Sequence, residues 1–468
     1  MTHPFEDSLR AYLAEQRWFP GKGRDFSVEA VHPTCWLSTE DPRVRIELVT
    51  VGYADGDPPE ETYQVPLAYL READPDLGHA LVGPLEHPDL GSVVAYDAVY
   101  VAVAAELLLQ SFRDRRREAD LTYEVLDDAA LPEAGVTGTV MTAEQSNTSI
   151  VYGEDALLKL FRRVSDGGNP DVEVHEALTR HGSDHIARLL GWIEADWRAA
   201  DGSAQHGHLG MLQAYLRTAT DGWGIALASV RDLFVEEDLH PEEVGGDFAA
   251  EAERLGAATA DVHRDLADVF GSSSMSDPER SALAEAMSSR LDAAVGAAPQ
   301  LELYAAALRR SFAALAELDS PVVLQRVHGD LHLGQTLRTV KGWKIIDFEG
   351  EPAKSLAERV APDSPLRDIA GMLRSFDYAS GATLHQFGDG DQLRYRGDEW
   401  VKRNRAAYLR GYSTVAAAEG DIDPAARQVL LRAYETDKAV YEVVYETRHR
   451  PHWLPIPLRA VERLAERT

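Results

Sequence analysis

The chain has 468 residues, 27% charged and 44% hydrophobic, an ordinary globular balance with room for two or three domains. Its net charge of −31 argues against nucleic acid or an anionic membrane surface as partner, although a few cations gathered in one cleft still suffice for ATP. The opening MTHPFEDSLR lacks the pattern of a signal peptide, and the longest apolar run, about Ala98 to Ala105, is too short to span a bilayer. With a single cysteine, Cys35, no intrachain disulfide is possible, and a cytoplasmic location is expected.

Residues 5–16 carry Phe5, Leu9, Tyr12 and Leu13 at helical spacing. A basic, turn-rich stretch from Arg17 to Arg24 follows, expected to fix the local fold. Stretches near 27–36, 43–53 and 61–69 are rich in Val, Ile, Thr and Tyr and predict strands, and 98–117 predicts a helix. Residues 1–120 are therefore expected to form an N-terminal α+β module. Strand patterns return near 137–142, 149–153 and 156–162. Asn169-Pro170-Asp171 then opens a helix over 171–181, with proline and acids in its first turn. Strands are expected over 187–195 and 207–215, joined by a hairpin at Asp201-Gly202-Ser203. Five strands and one helix would make residues 121–215 a small lobe. From 216 to 468 the pattern is mainly helical, near 246–268, 279–295, 299–317, 397–419 and 424–448.

The exception is the stretch 323–350. An apolar strand runs into His328-Gly329-Asp330, and a hairpin about Val340-Lys341-Gly342 leads to Ile345-Ile346-Asp347-Phe348. Phosphoryl transfer needs a group to take the proton of the attacking hydroxyl and hard oxygen ligands for Mg²⁺. Asp330 suits the first task. Gln335, five residues on, and Asp347, twelve beyond that, suit the second. His328 is expected to brace the loop by hydrogen bonds, and Asp368 to anchor a loop or cap a helix.

These residues resemble the aminoglycoside-phosphotransferase-like kinases, a branch of the protein-kinase-like fold. Gln16-Arg17-Trp18-Phe19, Asp363-Ser364-Pro365-Leu366-Arg367-Asp368, and Tyr441-Glu442 through Arg450-Pro451-His452-Trp453 extend the resemblance over almost the whole chain, toward the bacterial maltokinases. The resemblance implies an α+β, bilobal fold with an N-terminal cap. It also implies ATP and Mg²⁺ as cofactors, and transfer to the anomeric hydroxyl of maltose, giving maltose 1-phosphate for α-glucan synthesis. Another sugar such as glucosamine, an aminoglycoside, or a nucleotide-binding pseudokinase without turnover are the rivals. A complex with an enzyme of trehalose or glucan metabolism is a further expectation, resting on the N-terminal module.

In the nucleotide lobe, Lys159 is the single lysine of an apolar strand and is expected to hold phosphates and pair with a helix glutamate. Register favours Glu173 over Glu176. Ser146, Asn147 and Thr148, in the polar segment Glu144–Ser149, are expected over the phosphates in place of a glycine-rich loop. By analogy Gln213 and Tyr215 form the hinge that meets adenine. On the substrate side, Tyr441, Tyr445 and Arg448 share a helix face, Glu442 lies in an adjacent row, and His332 and Glu349 follow the base and the second ligand by two residues each.

Overall fold

The computed structural model describes residues 4–466 except 57, 119, 142–145, 200, 237–238, 352–353, 389 and 417–422. Two compact units emerge. One is Met1–Glu176 with Ala187–Arg217, the other Ala177–Ile186 with Thr218–Thr468. The expected helix at 397–419 runs past residue 416 into positions outside the described residues, and Glu144 and Gln145 also lie outside them.

The first unit opens with α1 (Pro4–Glu15), which buries Leu9, Tyr12 and Leu13. Strands β1 (Phe26–Trp36), β2 (Arg43–Tyr53), β3 (Glu60–Leu70), β4 (Leu81–His87) and β5 (Gly91–Asp97) pair in the order β1-β2-β3-β5-β4. The last two were not expected: Gly83, Pro84 and Gly91 interrupt the apolar alternation that marks a strand. Both faces of this sheet are covered. Val49, Val51, Tyr63 and Val65 pack with α1, Trp18 and Phe19 on one side. Val44, Ile46 and Leu48 share a core with α2 (Ala102–Arg113) and a second sheet on the other. This double burial explains why β2 reads as a nearly continuous apolar run.

The second sheet is formed by β6 (Leu121–Val125), β7 (Gly138–Val140), β8 (Thr148–Tyr152), β9 (Ala156–Leu160), β11 (Leu189–Arg198) and β12 (Ala204–Ala214), in the order β6-β11-β12-β9-β8-β7. Six strands replace the five expected, because the short edge strand β6 has too few residues to show a period. The two-residue β10 (Arg163–Val164) pairs with β3 of the first sheet. Arg162, just before it, is fully buried. It reaches Asp97 at 2.8 Å and Thr148 Oγ1 at 2.8 Å, and lies over the Trp18 ring at 4.7 Å. Trp18 is thus fixed by packing on this guanidinium.

After α3 (Pro170–His181), the second unit is mainly helical: α4 (Gly222–Val235), α5 (Ala249–Phe270), α6 (Asp277–Ala297), α7 (Glu302–Ala316), α8 (Leu356–Val360), α9 (Leu366–Phe387), α10 (Asp391–Ala416), α11 (Pro424–His449) and α12 (Pro455–Glu466). Two small sheets interrupt it. One pairs β14 (Ser272–Ser274) with β15 (Val323–Gln325). The other holds β13 (Thr220–Asp221), β16 (Thr336–Thr339) and β17 (Gly342–Ile345), the last two forming the expected hairpin.

A buried ion cluster joins four of these helices. Asp377 on α9 meets Arg374 of its own helix, Arg463 on α12 at 2.7 and 2.9 Å, and Arg405 on α10 at 3.5 Å. Glu435 on α11 takes Arg405 at 2.7 Å. Burial pushes the Asp377 carboxyl up, but Arg463, Arg374 and Arg405 together pull it well below the usual carboxylate range. A depressed carboxyl stabilises the fold at pH values above its unfolded pKa of about 3.9, and that contribution is lost as pH falls through the lower folded value. Asp377→Ala leaves buried arginines short of an anion. It is expected to cost about 3 kcal/mol in urea denaturation at pH 7, with the deficit shrinking toward pH 3.

Candidate active site

The stretch that follows β15 is shaped by one buried carboxylate. Asp368, in the first turn of α9 and 1% exposed, accepts backbone N–H bonds from His328 at 2.7 Å and Gly329 at 2.8 Å. His263 Nε2 of α5 donates to the same carboxylate at 3.0 Å. Gly329 has φ +85, a backbone that side chains rarely adopt, and this turn delivers Asp330. Asp368 is a loop anchor, one of the two roles expected of it, and it lies within the first turn of the helix. His328 also braces the loop as expected, its Nε2 donating to the carbonyl of Ile346 at 3.0 Å while its ring packs on Phe348.

Ile346 is bonded from a second side, its N–H donating to the Gln335 carbonyl at 3.1 Å. These backbone ties bring Gln335 and Asp347 together. The Gln335 amide lies 2.8 Å from Asp347 Oδ2. Asp347 is one of three non-glycine residues with positive φ among the described residues, at +68. Such a conformation costs about 1–3 kcal/mol and persists only where the surroundings enforce it. Oxygens of Asp347 and Glu349 come within 4.8 Å of each other. A carboxylate held in this strained pose, with an amide oxygen available by rotation of the Gln335 side chain and a second carboxylate nearby, fits a hard divalent cation.

Asp330 is half-buried, and Lys438 Nζ of α11 lies 3.3 Å from its Oδ1. Burial pushes the Asp330 carboxyl up, but the Lys438 ammonium, aided by His332 and His328, holds it below the usual range. It therefore stays ionised at neutral pH and is free to accept a hydrogen bond. His332 uses Nδ1 to accept from the Gly334 N–H at 3.1 Å, capping the one-turn helix that carries Gln335. Burial keeps its imidazole below the ordinary value and so neutral.

In the first unit, Lys159 on β9 is buried and reaches Asp171 Oδ2 at 2.8 Å. Asp171 is thus a carboxylate on Lys159 that register did not favour. Asp171 points inward from the first turn of α3 and is fully buried, whereas Glu173, two residues on and rotated by about 200° around the helix, is exposed. Glu176 is half-buried on the same helix. Thr148 is a second correction. It sits inside β8, buried, with Oγ1 accepting from Arg162, so its hydroxyl serves the core. Ser146 is exposed and Asn147 half-buried, just ahead of that strand. Gln213 is buried near the end of β12. Tyr215 follows the strand, its backbone N–H already donating to the Asp155 carbonyl at 2.9 Å.

On α11 the two rows separate. Tyr441 and Tyr445 are 43% and 39% exposed and stack with ring centroids 6.2 Å apart, and Lys438 Nζ lies 5.4 Å from the Tyr441 ring. An open aromatic face therefore begins beside Asp330. Arg448 is exposed one turn further on. Glu442 does not join them. It is buried and bonded to Arg374 Nε at 2.8 Å, its role in this structure being to neutralise that arginine. Sequence reasoning passed over Lys438, Asp171 and Glu351. For Lys438 a signal existed, since it precedes Tyr441 by three residues on the same helix face.

Residues 12–100 match the model of the maltokinase N-terminal cap domain, and residues 231–418 that of the phosphotransferase enzyme family. A glucosamine kinase of Streptacidiphilus jiangxiensis is 29% identical over 428 residues, covering 83% of this chain and 93% of the relative. One from Mycolicibacterium smegmatis is 25% identical over 338 residues, 70% of this chain and 79% of the relative. Among solved structures, a glucosamine kinase in complex with glucosamine, ADP and inorganic phosphate matches with a TM-score of 0.68 at 23% identity, covering 99% of this chain and all of that one. A second crystal form gives 0.69 at the same identity and the same coverage. This likeness is one of fold, a phosphotransferase-type kinase with an N-terminal cap.

Proposed function

We infer function from one premise: the chain is a maltokinase-like member of the phosphotransferase enzyme family. It is a sugar kinase, and we propose that it transfers the γ-phosphoryl group of ATP to the anomeric hydroxyl of maltose. In this proposal residues 1–120 are the cap, 121–215 the nucleotide-binding lobe and 216–468 the catalytic lobe. Asp330 orients the attacking hydroxyl and accepts its proton. Gln335 and Asp347 would hold Mg²⁺, which when bound neutralises charge on the phosphate oxygens. Glu349 stands beside that pair, and His332 stays neutral next to Asp330. Lys159, set by Asp171, holds the other phosphates, with Ser146 and Asn147 near them and Gln213 and Tyr215 toward the base. Tyr441 and Tyr445 offer flat apolar surfaces to sugar rings, and Arg448 a donor to hydroxyls.

The observation that carries this is the joining of the Asp330 turn to Asp347 through His328, Ile346 and Gln335. The open two-tyrosine face favours an acceptor of more than one ring, hence maltose. Glucosamine is the second reading, because curated relatives over most of the chain carry that name. Initial rates with ATP and Mg²⁺ on maltose, glucosamine, glucose and kanamycin decide between them. Maltose is expected to give the highest kcat/KM, and transfer to none of the four would remove the sugar-kinase proposal.

Lys159→Met removes the phosphate-binding cation and leaves Asp171 buried without its ammonium. The KM for ATP is expected to rise about tenfold or more while the KM for sugar changes little, as read by varying each substrate in turn. An unchanged KM for ATP would take Lys159 out of the nucleotide site.

A further inference from the structure

Lys438 on α11 is ion-paired with Asp330. Its ammonium lies 3.3 Å from Asp330 Oδ1 and 4.0 Å from Glu351 Oε1. Burial disfavours its charge, but Asp330 and Glu351 outweigh this and keep it protonated. The carboxylates around it are already matched. Glu351 is 3.4 Å from Arg367 and 3.6 Å from Lys354, and Arg367 in turn binds Asp363 at 3.0 Å. Glu442, one turn along α11, is bound to Arg374 at 2.7 Å, and Asp437 takes Arg290 at 2.8 Å. Tyr441 offers only its ring, and His332 is held neutral.

Asp330, Glu351, Glu442 and Asp437 therefore each have a cation beside them, while Asp347 and Glu349 form the pair proposed for the metal. A second ammonium arriving on the acceptor beside Asp330 meets the positive charge of Lys438 at close range in a partly desolvated place. We propose that Lys438 is a specificity-determining residue, a charge filter that selects an acceptor sugar neutral beside the reacting hydroxyl and rejects a cationic amino sugar. The chemistry is one of exclusion: a hydroxyl can accept a hydrogen bond from the lysine, whereas a protonated amine cannot. This rests on the sugar-kinase proposal, and it names which class of sugar the same site takes.

Two measurements test it. With the wild-type chain at pH 6.5, kcat/KM for maltose should exceed that for glucosamine by tenfold or more. The gap should narrow as pH rises to 9, because the sugar amine sheds its proton near the range of an α-amino group, about 7.7–8.0. Taking the ratio of two sugars on one enzyme cancels the titration of the protein. Lys438→Gln should shrink the pH 6.5 ratio about tenfold, while Lys438→Arg keeps it. A lysine that only props up Asp330 would lower both sugars together and leave the ratio unmoved, and that result overturns the filter. So does a wild-type preference for glucosamine at pH 6.5, or a ratio flat from pH 6.5 to 9. Transfer to neither sugar overturns the sugar-kinase proposal itself, an outcome distinct from a preserved ratio.

Discussion

Asp330→Asn is expected to lower kcat for maltose by about 10²–10⁴-fold, the usual contribution of a positioned general base. The substitution preserves shape and leaves an oxygen facing Lys438 at the position now 3.3 Å from its ammonium. What it removes is the negative charge that draws the proton of the attacking hydroxyl. Because the carboxyl sits below its ordinary range, the wild-type base is ionised throughout the neutral range, and loss of rate on acidification should come from this group only in more acid solution than an ordinary aspartate needs. Gln335, Asp347 and Lys159 are untouched, so nucleotide affinity measured by calorimetric titration should stay close to wild type. Steady-state kinetics of the variant alongside that titration gives the answer. Near-normal turnover would strip Asp330 of its role, and lost nucleotide binding would mean that the substitution disturbed more than the base.

Asp368→Ala should strike stability and catalysis at once. Three donors converge on this buried carboxylate: the His328 and Gly329 N–H groups and His263 Nε2. Removing it orphans two buried backbone groups and a buried imidazole, with an expected loss of roughly 3–5 kcal/mol. The turn that presents Asp330 at φ +85 of Gly329 loses its anchor, so kcat should fall at least tenfold even at temperatures where the variant is fully folded. Burial raises the Asp368 carboxyl, yet His263, His328 and the Gly329 N–H bring it below its ordinary value. Its stabilisation is therefore complete above the unfolded pKa of about 3.9 and is lost as pH drops through the folded one. Thermal melts from pH 3 to 7 should show the wild type losing more stability on acidification than the variant. Equal acid sensitivity would count against the anchor.

Most long elements were legible in the chain because their periods are local. Leu9, Tyr12 and Leu13 mark α1, and Val44, Ile46, Leu48, Val49 and Val51 mark β2. Where the period was broken or too short, as in β4, β5 and β6, the pattern failed. The candidate site divides the same way. Asp330, Gln335 and Asp347 fall within eighteen consecutive residues joined by a hairpin, and the contact of Gln335 with Asp347 was open to inference from that spacing.

The sequence by itself determined the order strand, His-Gly-Asp turn, hairpin, Asp-Phe, together with the residue types that phosphoryl transfer requires. It determined the tyrosine row of α11 as well. The tertiary structure alone decided which way each helix faces. It turned Asp171 onto Lys159, sent Glu442 inward to Arg374, and set Lys438 against a carboxylate 108 residues away. The physical reason is that a helix repeats every 3.6 residues whatever it packs against. Local spacing tells which side chains share a face, while the partner of that face is chosen by burial and charge pairing among elements far apart in the chain.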